Sequence, residues 1–294
     1  MNKISSYLKL LRIHQWVKNL FIFLPPFFAL KLKDPFVLEQ GAITFLAFSL
    51  LASAVYVFND MLDIEADRLH PTKCNRPLAS KAVSFSEGVV LITLLLLVAA
   101  YLFVFIINNN TVSFIAAFYL IQNIFYTVKL KHVSLMDVVI IALGFVLRIL
   151  IGGAATNTQL SHWIILMTFV FALFLALAKR RDDVFNFMET GNKSRKNIQG
   201  YNMDFLNVSI TVMAVVVIVC YIMYCTSTEI TTRFGDNVYL TSFFVILGIL
   251  RYLQLTFVWL ISGSPTMVLL KNVFLQLIIV GWLISFFLII YVKI

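Results

Sequence analysis

Charge is what this chain has least of. Asp, Glu, Lys and Arg together make up 13% of its 294 residues, while 61% are hydrophobic. That balance excludes a soluble domain, because apolar stretches of this length are membrane spans. Acidic residues are scarcest: there are 14, against 23 Lys and Arg. Cysteine is nearly absent too. Cys220 and Cys225 are five apart in one expected span and Cys74 is expected on the other side of the membrane. That leaves neither a disulfide framework nor zinc-ligand spacing. The N-terminus lacks the short apolar core and small-residue cleavage site of a signal peptide. Low-complexity segments and appended soluble domains are also missing.

What is present is a series of apolar runs. Candidate helices fall near 18–31, 39–58, 88–107, 111–128, 134–154, 161–178, 205–225, 238–260 and 272–292, which predicts an all-α membrane protein with about nine spans in a single domain, 1–294. The Met1–Trp16 segment sets Lys3, Lys9 and Arg12 between Tyr7, Leu8, Leu10 and Leu11, the pattern of an amphipathic helix lying on the membrane surface. With the N-terminus in the cytoplasm, inside segments hold 17 of the 23 Lys and Arg. This asymmetry is the positive-inside pattern of a cell-membrane protein with its working face to the cytoplasm. It accounts for the net charge of +9. The basic residues are spread over several short loops, which argues against nucleic acid as their partner. A homo-oligomer is left open.

Against this background one acidic cluster stands out. Asn59-Asp60-Met61-Leu62-Asp63-Ile64-Glu65-Ala66-Asp67 places four of the 14 acidic residues in eight positions, where an apolar run ends. On a helix, Asp60, Asp63 and Asp67 fall within roughly 60° of one another, with Asn59 beside them and Glu65 pointing away. Three carboxylates on one face repel each other unless a cation sits among them. Mg²⁺ favours such oxygen ligands, shared with substrate phosphates. The plainer alternative is a solvated, charged helix end. The loop that follows carries Arg68, His70, Lys73, Arg76 and Lys81, with Pro71 and Pro77 fixing its path. A metal-binding face beside a basic loop suits a diphosphate, whose remaining charge Lys and Arg would take. His70 is a candidate base or simply a loop residue.

A second long loop follows Lys179-Arg180-Arg181-Asp182-Asp183, where ion pairs at i+3 and i+4 from Lys179 are the ordinary reading. Its basic run Lys193-Ser194-Arg195-Lys196 would meet anionic headgroups or enforce topology. Within the spans, Asp137 and Arg148 need a reason, since buried charges are costly. They lie about 20° apart on the wheel. Gly144 and Gly152 flank Arg148 at i−4 and i+4, so it either lines a substrate cavity or pairs with a carbonyl or an acid. Arg251 poses the same question. Tyr126 and Lys129 end the fourth span at the cytoplasmic face, where snorkelling alone would explain the lysine.

Asn59-Asp60-x-x-Asp63-x-x-x-Asp67 followed by Arg76-Pro77-Leu78 resembles the first signature of the UbiA superfamily of intramembrane prenyltransferases. Further motifs resemble its decaprenyl-phosphate phosphoribosyltransferase branch. They are His14-Gln15-Trp16-Val17-Lys18-Asn19, Asp67-Arg68-x-His70-Pro71-x-Lys73, Phe145-x-x-Arg148-x-x-x-Gly152-Gly153, Arg251-Tyr252 and Gly263-Ser264-Pro265. The resemblance implies nine helices around a lipid-open cavity and a diphosphate bound through Mg²⁺. For the branch it implies phosphoribosyl diphosphate as donor and a polyprenyl phosphate as acceptor, with pyrophosphate released. Asp60, Asp63 and Asp67 would then hold the metal as the catalytic set, with Asn59 orienting the donor. Lys73, Arg76 and Lys129 would hold donor phosphates, assisted by Tyr126. Lys18, Asn19, Lys179 and Arg180 are candidates for the acceptor phosphate or the sugar 5-phosphate, and Arg148 for the cavity wall. Where prenyltransferases carry a second Asp-x-x-x-Asp signature, this chain has Lys179-Arg180-Arg181-Asp182-Asp183. It also departs from the branch at Cys74 (usually Arg), Lys81 (usually Gly) and Asn272 (commonly Asp). The alternatives are prenyl transfer from a polyprenyl diphosphate to an aromatic or other acceptor, and a transporter or lipid-binding protein.

Overall fold

A computed structural model describes residues 3–69, 72–191, 196–261 and 264–292. His70, Pro71, most of the Lys193–Lys196 run and Gly263 lie outside the described residues. Among the described residues every regular element is helical. The chain falls into two compact units, Met1–Ser161 and His162–Ile294.

In the first unit, α1 (Lys3–Leu11) leads into a 3₁₀ segment, Ile13–Phe23, and then α2 (Leu24–Phe28), α3 (Pro35–Leu62) and α4 (Ile64–Arg68). After a short turn at Lys73–Asn75 come α5 (Phe85–Tyr101), which widens into a π turn over Leu102–Ile107, α6 (Asn110–Val128) and α7 (Met136–Ala155). Local sequence explains the boundaries. Pro35 opens α3 with the Asp34 carboxylate accepting from Phe36 N–H at 2.9 Å, satisfying an orphan donor of the first turn. Ser84 and Glu87 form a reciprocal capping box that starts α5. Its Glu87 also pairs with Lys3 of α1 at 2.6 Å.

Ile22, Phe48, Leu51, Val55, Tyr119, Leu147 and Ile151 pack into one buried core joining the 3₁₀ segment with α3, α6 and α7. The 3₁₀ segment and α7 come into backbone contact at Gly152. A Cβ there would come within 2.1 Å of the Ile22 carbonyl oxygen, so only glycine fits. A smaller cluster of Leu10, Val57, Leu78 and Val83 ties α1 and the loop after α4 to α3.

The second unit comprises α8 (His162–Thr190), α9 (Met203–Thr226), α10 (Thr228–Phe234), α11 (Ser242–Phe257), α12 (Pro265–Lys271) and α13 (Val273–Val292). Arg251 rests on the rings of Trp259 and Phe274 at 4.3 and 5.3 Å and donates to Gln254. Aromatic faces and an amide thus supply what an acid would otherwise provide.

Among the described residues seven helices are long and apolar enough to cross a membrane, and the pair α12–α13, bent by 84°, makes an eighth if counted as one span. The expected ninth, at 18–31, is absent as a single helix. There the chain is 3₁₀ up to Phe23, and α2 is five residues long with Pro25 and Pro26 at its start. Two prolines without N–H donors cannot sit inside a long α-helix. The bend at Asn272 has a local cause as well, since its side chain caps α13 by accepting from Leu275 N–H at 3.1 Å. The span expected at 161–178 runs on to Thr190.

Candidate functional site

The acidic cluster straddles a break. α3 stops at Leu62, Asp63 adopts φ −96° and ψ 6°, and α4 begins at Ile64. The expectation of one continuous helix therefore fails at Asp63, although Glu65 does point outward, exposed. Asp60 and Asp67 are buried, at 2% and 4% exposure, whereas Asp63 stays partly open.

Each carboxylate is held by a cation. Arg76 Nη1 donates to Asp60 Oδ1 at 3.0 Å and to Asp67 Oδ2 at 2.7 Å, bridging the break. Its position follows from Leu78, which is buried against Leu10 and Val57 and anchors the Arg76-Pro77-Leu78 turn. Arg12, at the end of α1, donates a second bond to Asp60 Oδ1 at 2.5 Å and lies over the Tyr56 ring. On the other side, Lys131 Nζ reaches Asp63 Oδ1 at 2.7 Å and Asn59 Oδ1 at 3.4 Å. Asp60 Oδ2, Asp67 Oδ1 and Asp63 Oδ2 accept no hydrogen bond among the described residues.

Arg12 and Lys131 were not expected at the site. Arg12 reads as one more cation of an amphipathic helix, and Lys131 as a topology charge. Only the packing of α1 on α3, and the turn at Leu130–His132 after α6, bring them in. Lys129, expected at the site two residues earlier, is exposed and makes no ion pair or side-chain hydrogen bond among the described residues. Tyr126 is half-buried near the end of α6, and Lys73 sits in the turn before Arg76.

A second polar layer lies about two to three helical turns deeper along α3. Asn19 is buried, donating from Nδ2 to Ser49 Oγ at 2.8 Å and accepting from Arg148 Nε at 2.8 Å. Arg148 also donates to the Gly144 carbonyl at 2.7 Å and the Tyr119 hydroxyl at 3.3 Å, with Phe48, Tyr119 and Phe145 rings around its guanidinium. Of the two readings of Arg148, the carbonyl partner is present. Asp137 is not its partner: eleven residues on a helix separate them by about 16 Å, whatever the wheel angle. Asp137 is fully buried at the other end of α7. Trp16 Nε1 donates to Ser53 Oγ at 3.0 Å, which in turn donates to the Leu11 carbonyl, fastening the 3₁₀ segment to α3. Lys18, adjacent to Asn19, is half-buried, and its side chain makes no hydrogen bond or ion pair among the described residues.

In the second unit Arg180 is buried, at 1% exposure, and pairs with Asp183. Arg181 donates to Asn207 and to the Thr256 carbonyl, both at 2.7 Å. These arginines are thus interior groups of that unit, not a solvated face. Lys179 precedes them on α8.

The carboxylates suit a hard divalent cation. Oxygen is the right donor, and three oxygens have no competing hydrogen bond among the described residues. Among the described residues no three acidic, His or Cys side chains already converge as a ligand shell. The interposed cations Arg12, Arg76 and Lys131 compensate the charge of the three carboxylates.

A family model, the UbiA prenyltransferase family, matches residues 20–278. The chain belongs to the UbiA prenyltransferase family. It is 30% identical to decaprenyl-phosphate phosphoribosyltransferase of Mycolicibacterium smegmatis over 96% of this chain and 91% of that one. It is 28% identical to digeranylgeranylglyceryl phosphate synthase of Sulfurisphaera tokodaii, over 75% and 79% respectively. In fold it is similar to a UbiA homolog from Archaeoglobus fulgidus bound to DMAPP and Mg²⁺, with TM-score 0.71 and 18% identity, covering 97% of this chain and 99% of that one. Its apolar helices and UbiA membership make the chain a multi-pass membrane protein, and the membership makes it a transferase.

Proposed function

We propose that this UbiA-family transferase moves 5-phosphoribose from phosphoribosyl diphosphate to a polyprenyl phosphate, with release of pyrophosphate. The observation that carries the reading is the alternation of Asp60, Asp63 and Asp67 with Arg12, Arg76 and Lys131, each carboxylate keeping one oxygen for a further cation. Such a surface is matched to a metal diphosphate, and resemblance to phosphoribosyltransferases over nearly the whole chain favours that donor. The M. smegmatis relative is covered more completely than the digeranylgeranylglyceryl phosphate synthase.

In this reading Asp60, Asp63 and Asp67 hold Mg²⁺, and Asn59 orients the donor. The metal would neutralise charge on the departing pyrophosphate. Arg76, Lys73 and Lys129 take the remaining charge of the donor's phosphates, with Tyr126 beside them. Lys18, unpaired at the edge of the deeper layer, takes the lipid phosphate or the sugar 5-phosphate, and Arg148 and Asn19 hold its segment in place. Lys179 and Arg180 are assigned phosphate contacts, tested singly by K179Q and R180Q. A phosphate oxygen of the lipid attacks the anomeric carbon as the carbon–oxygen bond to diphosphate breaks. The lipid phosphate is already ionised, so no general base is needed. The positive-inside pattern supports assigning this chemistry to the cytoplasmic face of the cell membrane.

Purified protein, given Mg²⁺ and a polyprenyl phosphate with phosphoribosyl diphosphate, should yield the phosphoribosylated lipid by mass. Polyprenyl diphosphate with an aromatic acceptor should yield nothing. The reverse result would establish prenyl transfer instead. Asp60→Ala and Asp63→Ala should each abolish turnover while the protein stays folded, and activity surviving both rejects the site.

A further inference from the structure

We propose that Arg12 and Lys131 are phosphate-binding residues of the donor site that act, between turnovers, as stand-ins for the metal. The proposal rests on the reading that the aspartate trio takes Mg²⁺ with a diphosphate. It adds two residues to that site and an order to its filling.

Arg12 ends α1 in a left-handed backbone conformation, φ 51° and ψ 47°. A non-glycine residue holds such a conformation only where its surroundings impose it. The turn sends the guanidinium over Tyr56 to Asp60 Oδ1, the same oxygen that Arg76 already occupies. Two guanidinium groups on one oxygen crowd like charges, and Arg76 keeps Asp67 if Arg12 leaves. Arg12 is therefore the displaceable one. Lys131 pairs with Asp63 at 2.7 Å from a different element, and Asp63 keeps a second oxygen for the metal. Three carboxylates then face three cations, and the cluster is formally neutral.

Neutrality decides the order. A divalent cation arriving alone would add two charges to a compensated, poorly hydrated cluster and displace cations that have nowhere to go. Arriving with a diphosphate, it brings the anion to which Arg12 and Lys131 transfer. The carboxylates turn to the metal, the released cations turn to the phosphates, and the charge stays nearly balanced. The site takes the metal and the diphosphate as a unit.

Equilibrium dialysis of Mn²⁺ against the full-length protein, alone and with inorganic pyrophosphate, with bound metal read by electron paramagnetic resonance, tests this. Wild type should bind Mn²⁺ weakly alone and at least about tenfold more tightly with pyrophosphate, a coupling of ordinary size. R12Q and K131Q should each bind Mn²⁺ alone at least about threefold more tightly than wild type, and each should lose most of the roughly tenfold gain from pyrophosphate. R12K should restore the wild-type pattern. R12Q and K131Q binding Mn²⁺ alone no better than wild type, or keeping the full pyrophosphate effect, overturns the proposal. If R12Q fails to fold, K131Q decides alone, because Lys131 lies on a separate element. Asp60→Asn separates the two ideas: Mn²⁺ binding that survives it with pyrophosphate present refutes the metal assignment itself.

Discussion

Gly152 and Gly153 are neighbours on α7, and the structure gives them opposite tolerances. A methyl group at Gly152 would lie 2.1 Å from the Ile22 carbonyl oxygen and 2.8 and 2.9 Å from the Ile22 backbone carbons. Carbon–oxygen contacts are normally about 3.3 Å or longer, so backbone must move by on the order of 1 Å. Overpacking costs about 1–3 kcal/mol, and rigid backbone on both sides puts Gly152→Ala at the upper end. The better helix propensity of alanine returns up to about 1 kcal/mol. The net loss is therefore about 2 kcal/mol, or an apparent Tm lower by roughly 4–8 °C. At Gly153 the three atoms nearest the methyl all belong to the half-buried Leu160 side chain, at 2.9–3.1 Å, and a side chain gives way more cheaply than backbone. Gly153→Ala should change stability by less than about 1 kcal/mol, the size of the propensity gain. Thermal unfolding of the two purified variants in the same detergent, followed by intrinsic fluorescence, makes the comparison. Turnover of Gly152→Ala should fall too, because Ile22 is three residues from Asn19, which holds Arg148. Equal melting temperatures, or a Gly152→Ala variant as stable as wild type, would show that the 3₁₀ segment is not held against α7 as described.

Two further outcomes follow from particular residues. Lys81 has φ 61°, a left-handed conformation that costs a side-chain-bearing residue about 1–2 kcal/mol. Lys81→Gly should therefore raise stability by roughly 0.5–1 kcal/mol after the added chain entropy of glycine, and a lower melting temperature would count against it. Arg148→Lys loses the fork that serves Asn19, the Gly144 carbonyl and Tyr119 together. It should cost about 2–3 kcal/mol, measured by the same unfolding assay. A variant as stable as wild type would mean that the guanidinium fork is dispensable.

The sequence alone determined the class of the molecule and most of its helices. Runs of apolar residues long enough to span a bilayer permit little else, since every backbone polar group there must be satisfied within a helix. At Lys81 the family resemblance marked only a departure from glycine; the left-handed backbone that explains the glycine came from the structure. The aspartates were legible as well, because four acidic residues in eight positions of a basic, apolar chain need compensation. Periodicity was silent on the break at Asp63, since a helical wheel assumes continuity across the very residue that ends α3. It also overstated Asp137 and Arg148, because angular coincidence says nothing about separation along the axis. The partners of the trio were decided by tertiary structure. Arg12 lies 48 residues from Asp60 and Lys131 lies 68 from Asp63, and no local pattern marks either. They meet because Leu10 and Leu78 bury against Val57, and because the turn after α6 stops beside Asn59. Local preference chose the helices; burial of side chains remote in sequence chose which charges face one another.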